Sequence, residues 1–158
     1  MTVHPIPDGY HSVTPYLVVD DAPGALEFYK KAFGAVDLLR MDAPGGKIGH
    51  AEFRIGNSHV MLASEFPEIG ALAPSSIGGT PVTLCIYTEN VDAMFARAVA
   101  AGATELRPLM NQFYGDRSGM LTDPFGHRWT LATHIENIPA AELKRRSEAM
   151  LKQAAPPD

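Results

Sequence analysis

Cysteine is nearly absent from this sequence: Cys85 is the only one in 158 residues. No disulfide can form within the chain, and no paired-cysteine zinc motif can be built. Long apolar runs are missing too, and nothing approaches the roughly 18 uncharged residues that a membrane helix needs. The opening stretch MTVHPIPDGYHS has no basic end leading into an apolar core, unlike a secretory signal. Positive charge is scarce, with 13 Lys and Arg against 18 Asp and Glu and a formal net charge of −5. The only basic cluster, Lys144-Arg145-Arg146, sits among Glu142 and Glu148 and reads as a solvated helix face. Phosphate backbones are held by clustered cations, so no nucleic-acid partner is expected. A Gly-rich phosphate loop, HExxH and a nucleophile elbow are also lacking. These absences leave a cytoplasmic protein with no membrane partner as the expectation. A composition of 46% apolar and 20% charged residues suits a packed domain.

What the sequence does contain is a repeat. Asp21 precedes an apolar-periodic segment, Ala22 to Phe33, that stops at Gly34, and Asn90 precedes Val91 to Ala101, which stops at Gly102. Asp or Asn caps the orphan amides of a helix, and glycine takes the left-handed stop. A strand-like run stands ahead of each helix, Val13–Val19 and Val82–Thr88. Three more follow the first helix (Val36–Met41, Ile48–Ile55, His59–Ser64) and three the second (Thr104–Met110, Ser118–Thr122, Arg128–Thr133). Thr14 and Met61 align with Thr83 and Thr130 at one offset of 69 residues. The organisation expected is an arm (1–12), a first βαβββ module (13–65), a Pro/Gly/Ser-rich linker (66–79), a second module (80–136) and a C-terminal helix with tail (137–158). That helix, Ala140 to Gln153, is expected to cover the core or a partner subunit. The fold class is α+β, with two curled antiparallel sheets in one compact domain.

Tandem βαβββ modules in a chain of this length resemble the vicinal oxygen chelate superfamily. It includes glyoxalase I, the bleomycin-resistance proteins and the extradiol dioxygenases. The segments that carry the likeness are Pro15-Tyr16-Leu17, Ala25-Leu26-Glu27-Phe28-Tyr29, Gly49-His50-Ala51-Glu52-Phe53, Gly115-Asp116-Arg117 and Asp123 to His134. They resemble the PhnB-like branch most. The resemblance implies two sheets forming a cup with helices outside, a homodimer, and in metal-dependent members four His or Glu ligands on the first and last strands of each module. Those positions are Thr14, Met61, Thr83 and Thr130 here, three hydroxyls and a thioether. They make a poor site for Fe, Mn, Ni or Zn. The expectation is therefore a cup without the family metal and with no other cofactor.

Strand parity then gives the cup wall. Tyr16, Met61, Thr83, Cys85, Tyr87, Arg128 and Thr130 share the inward set, and His50, Glu52 and Arg54 are the polar residues of an otherwise helix-packed strand. Tyr114 and Arg117 are placed at the rim, while Asp116 is read as closing a turn. An apolar pocket with a few convergent polar groups suits a small organic ligand carrying a ring or an anionic group. Arg54 and Arg128 could clamp a carboxylate. His50 and Glu52, two apart on one face, suit general acid–base work or a relocated divalent metal. Their alternative is a surface or inter-subunit polar pair. Two functions stay open: a metal-free small-molecule binder, or an enzyme of the superfamily (lyase, isomerase or dioxygenase) working at His50 and Glu52.

Overall fold

The computed structural model describes residues 2–155. The first module is β1 (Tyr16–Val19), α1 (Ala22–Phe33), β2 (Val36–Ala43), β3 (Lys47–Ile55) and β4 (Ser58–Ser64). A short helix, α2 (Pro74–Ile77), lies in the connection. The second module is β5 (Thr83–Tyr87), α3 (Val91–Ala101), β6 (Thr104–Asn111), β7 (Asp116–Thr122) and β8 (Arg128–His134), followed by α4 (Ala140–Ala154). Each sheet has four strands, in the orders β1-β4-β3-β2 and β5-β8-β7-β6. The outer pair in each is parallel and the rest antiparallel, so the sheets are mixed, a refinement of the antiparallel expectation.

The helices start and stop where the local chemistry dictates. The Asp21 carboxylate accepts from Gly24 N–H at 3.0 Å, and the Asn90 side chain accepts from Ala93 N–H at 3.1 Å. Gly34, at φ +67°, takes the left-handed stop of α1. The first strand is shorter than its apolar run because Pro15 has no amide to give a ladder. The repeat shows in the pairing: Tyr16 lies opposite Met61 and, 69 residues on, Cys85 opposite Thr130.

The core lies where the two modules meet through their helices. Phe33 and Trp129 have ring centroids 4.8 Å apart, and Tyr29 stacks on Phe53 at 5.3 Å. The buried Asp123 ties the modules together. Its Oδ2 accepts from Tyr29 O–H of α1 at 2.7 Å and from Trp129 Nε1–H at 2.9 Å, while Oδ1 accepts from the amides of Phe125 and His127. Burial and this carboxylate push the Tyr29 phenol well above its ordinary pKa, so it remains a donor. His127, in the turn before β8, hydrogen-bonds the Val18 carbonyl at 2.9 Å on the free edge of β1.

α4 has helical form as expected but buries no residue, and Leu151 is exposed. It does not cover the core. It is held by Arg146, which bonds Glu136, Glu142 and the Phe113 carbonyl. Among the described residues no helix is long and apolar enough to cross a membrane.

Candidate functional site

With one face of each sheet on the helices, the opposite faces carry the polar side chains. In the first module that face presents Tyr16, His50, Glu52, Arg54 and Met61, since Met61 lies opposite both Tyr16 and Glu52. Leu39 and Met41 stand opposite Glu52 and His50 and add apolar area. In the second module, Thr83, Cys85 and Tyr87 pair with Arg128, Thr130 and Ala132, and β7 adds Met120, Ser118 and Asp116. Both faces are open: Tyr16 is 49% and Tyr87 63% exposed.

A hydrogen-bond chain crosses the first face. The Tyr16 hydroxyl is 2.8 Å from His50 Nδ1, and His50 Nε2 is 3.0 Å from Glu52 Oε1. The second oxygen of Glu52 accepts from Tyr10 O–H, which reaches in from the N-terminal arm. Donor accounting gives the senses: a carboxylate only accepts, so His50 Nε2 carries the proton facing it, and Nδ1 accepts from Tyr16 in the neutral ring. The hydrogen bonds from Tyr10 and His50 hold the Glu52 carboxyl below the usual carboxylate range. Burial and Glu52 push the Tyr10 phenol up to about 12, and they raise Tyr16 as well.

A second chain crosses the other face. Asp116, nearly buried, accepts from Tyr87 O–H at 2.7 Å and from His134 Nδ1–H at 2.8 Å. His134 Nε2 lies 2.9 Å from Asn137 Oδ1. The bond to Asp116 pushes Tyr87 up to about 12, and the same carboxylate, helped by Asn137, raises the His134 pKa. Burial and Asp116 raise the Cys85 thiol, which opposes a reactive thiolate.

The structure therefore brings together Tyr16, His50, Glu52 and Met61 on one face, and Thr83, Cys85, Tyr87, Arg128 and Thr130 on the other. Arg54, on the first face, turns back to the Gly56 carbonyl at 2.9 Å. Tyr114 reaches Ser118 Oγ at 3.2 Å and edges the second face. Arg117 does not belong to the cup: it faces α3 and grips Asp92 through two bonds of 2.9 and 2.8 Å. The turn at Gly115 sets the phase of β7, so Asp116 points to the open face and Arg117 to the helix. Asp116 and Tyr10 are the functional candidates that sequence reasoning missed. Asp116 follows a glycine turn and so reads as a turn residue, whereas Tyr10 meets Glu52 across 42 positions with no local signal.

The positions corresponding to the family ligands, Thr14, Met61, Thr83 and Thr130, offer neutral hydroxyls and one thioether. Hydroxyls are weak ligands at neutral pH and a thioether prefers soft ions, so this donor set does not fit Fe, Mn, Ni or Zn. Among the described residues no three His, Cys, Asp or Glu side chains converge as a metal site.

Two cavities flank the seam between the free edges of β1 and β5. The larger, about 620 Å³, is bordered by His11, His59, Cys85, Tyr87, Phe33 and Trp129. The smaller, about 370 Å³, is bordered by Tyr16, Val18, Leu72, Ile77, Val82 and His127. Pro15 and Leu84, which are 69 residues apart, border both, placing a local two-fold relation between the modules at that point. Neither cavity is lined by His50, Glu52, Met61 or Thr130.

Comparison with known proteins gives three kinds of likeness. The model of the glyoxalase/bleomycin resistance protein/dioxygenase superfamily matches residues 9–131. An uncharacterised protein of Mycobacterium bovis is 44% identical over 136 residues, spanning 84% of this chain and 90% of that protein. TioX from Micromonospora is 30% identical in structure-based alignment with a TM-score of 0.64, covering 79% of this chain and 99% of its own. A PhnB protein from Bacillus cereus shares the fold at 20% identity, with a TM-score of 0.61 over 78% of this chain and 99% of its own.

Proposed function

The chain belongs to the glyoxalase/bleomycin resistance protein/dioxygenase superfamily, and from that premise we propose that it binds a small organic ligand without the family metal. Motifs such as Pro15-Tyr16-Leu17 and Gly49-His50-Ala51-Glu52-Phe53 support a PhnB-like reading within that superfamily. The observation that carries the reading is the composition of the two open faces. Each combines exposed tyrosine and methionine surface with one satisfied hydrogen-bond chain, and the family metal positions hold no suitable donors. Ligand pockets are built in this way, largely apolar with a few fixed polar groups.

The cup closes when a second copy covers the faces. Helices α1 and α3 pack against each other, the two sheets share no strand pairing among the described residues, and both polar faces look out to solvent. A homodimer that sets the first-module face of one copy over the second-module face of the other gives the ligand two walls. On these walls Tyr16 and Tyr87 supply ring contacts, while Arg54 and Arg128 stand at the edges for an anionic group. Cys85, a lone free thiol, is compatible with a reducing compartment, which supports a cytoplasmic reading.

The direct test is a screen of small aromatic acids and amides by NMR, read at Tyr16, Met61, Tyr87 and Thr130. A bound ligand should perturb both faces at once, and Tyr16→Ala or Tyr87→Ala should weaken it about tenfold, the value of one buried aromatic contact. Ligands that perturb neither face would overturn the reading.

The continuity of Tyr16, His50 and Glu52 favours one alternative, an enzyme using this chain for proton transfer. His50, positioned by Glu52, would accept a proton through Tyr16 and return it. Exchange of an acidic C–H of bound ligand with solvent deuterium, lost in His50→Gln, would establish that reading. Binding without exchange would leave the protein a binder.

A further inference from the structure

The N-terminal arm is tied to the first-module face through one side chain. Residues 7–10 form a turn closed by the Tyr10 amide donating to the Pro7 carbonyl at 3.0 Å. Gly9 takes φ +83°, the left-handed value that the third position of such a turn requires. A Cβ on Gly9 would lie 2.6 Å from His59 Cε1 and 2.8 Å from Nε2, so the glycine backbone rests directly on the imidazole. Tyr10 meets the same ring edge-on, with centroids 4.4 Å apart, and its hydroxyl donates to Glu52 Oε2. The arm's other side-chain bond, His4 to Asp8, stays within the arm. Val3 and Ile6 are exposed.

We propose that the place the Tyr10 phenol takes between Glu52 and His59 is a ligand subsite for an aromatic hydroxyl group, occupied by the arm in the free protein and vacated when ligand enters. This inference rests on the binding reading above and specifies one end of the ligand.

The chemistry at this spot is selective. Glu52 spends one oxygen on His50 and presents the other to a single donor, so a ring-borne O–H or N–H replaces Tyr10 bond for bond. A ligand carboxylate placed there would meet a carboxylate. The exchange releases a segment held by one side-chain bond, and freeing its backbone favours displacement entropically. The adjoining space suits the rest of such a molecule: His59 and His11 border the larger seam cavity, together with Phe33, Met94 and Trp129. Lifting the arm also uncovers the His59 ring. Its Nδ1 is the one buried side-chain polar atom among the described residues without a hydrogen-bond partner. A second polar group on the ligand, or a water, can then satisfy it.

Tyr10→Ala with p-cresol, the tyrosine side chain as a free molecule, tests the subsite, with toluene as the ring lacking the hydroxyl. Titration by NMR at His59 should show cresol binding the variant about tenfold or more tightly than toluene, the factor carried by one hydrogen bond to a carboxylate. Adding Glu52→Gln should erase most of that preference. In the unaltered chain, saturating cresol should speed amide exchange across residues 3–10. Tyr10→Phe, which keeps the ring and loses the hydroxyl, should speed exchange in that segment without ligand. Equal affinity for cresol and toluene, or an arm whose exchange neither cresol nor Tyr10→Phe alters, overturns the subsite. These outcomes are independent of whether any ligand bridges Tyr16 and Tyr87, so the subsite and the two-faced cup can fail separately.

Discussion

Two carboxylates matter more than their surroundings in the sequence suggest. Asp123 sits in a Pro-Phe-Gly turn context yet is buried with four donors on its two oxygens. Tyr29→Phe removes one of them and leaves part of a buried acceptor unpaired. It should cost about 1–3 kcal/mol of stability, measured by urea unfolding, because an orphaned buried polar group keeps its desolvation penalty. A loss near zero would mean that water replaces the phenol. Asp116 acts on a titratable partner. Folding raises the His134 pKa through the Asp116 bond, so this pair's stability is fully present below the unfolded imidazole value of about 6.5 and fades as pH climbs through the folded value. Asp116→Asn should lower the His134 pKa in an NMR titration and flatten that part of the stability profile; an unchanged pKa would assign the shift to Asn137 instead.

Single elements obey local chemistry, and here the sequence was most legible. The caps Asp21 and Asn90 and the stops Gly34 and Gly102 read through to structure because each is set within a few residues, and the 69-residue offset follows because both modules repeat that local pattern. Asp21→Ala and Asn90→Ala should each lower stability by about 1 kcal/mol in thermal or denaturant unfolding, with the fold retained. Parity also gave the face wherever the ladder runs without a register shift, so Tyr16, His50, Glu52, Cys85, Tyr87 and Thr130 were legible as open-face residues. Arg117 was placed at the rim from its turn rather than by parity, and it faces α3 instead. Its strand begins at a glycine turn, and a one-residue change in phase exchanges the two faces. The Tyr10 contact and the Asp123 junction were not legible either, because they join segments dozens of residues apart. The C-terminal helix shows the limit from the other side: its amphipathic pattern was readable, but periodicity does not say what an apolar stripe packs on.

The whole molecule is two similar modules joined helix to helix, with their polar faces turned outward. A chain built this way carries more exposed aromatic and methionine surface than it needs as a monomer, including Tyr16, Met41, Tyr87 and Met110. Sedimentation at micromolar concentration should give a dimer, and Tyr87→Glu, which puts charge on the covered face, should shift it toward monomer. A protein that stays monomeric at all concentrations would leave each face a shallow wall without a second side.

The central claim, a ligand cup that does without the family metal, is tested most directly by metal content. Protein purified without chelator, exposed to Mn, Fe, Ni and Zn and then desalted, is analysed by plasma mass spectrometry. The donor set of Thr14, Met61, Thr83 and Thr130 predicts far less than one retained ion per chain for every metal. One tightly held ion per chain would contradict it and point to His50 and Glu52 as ligands.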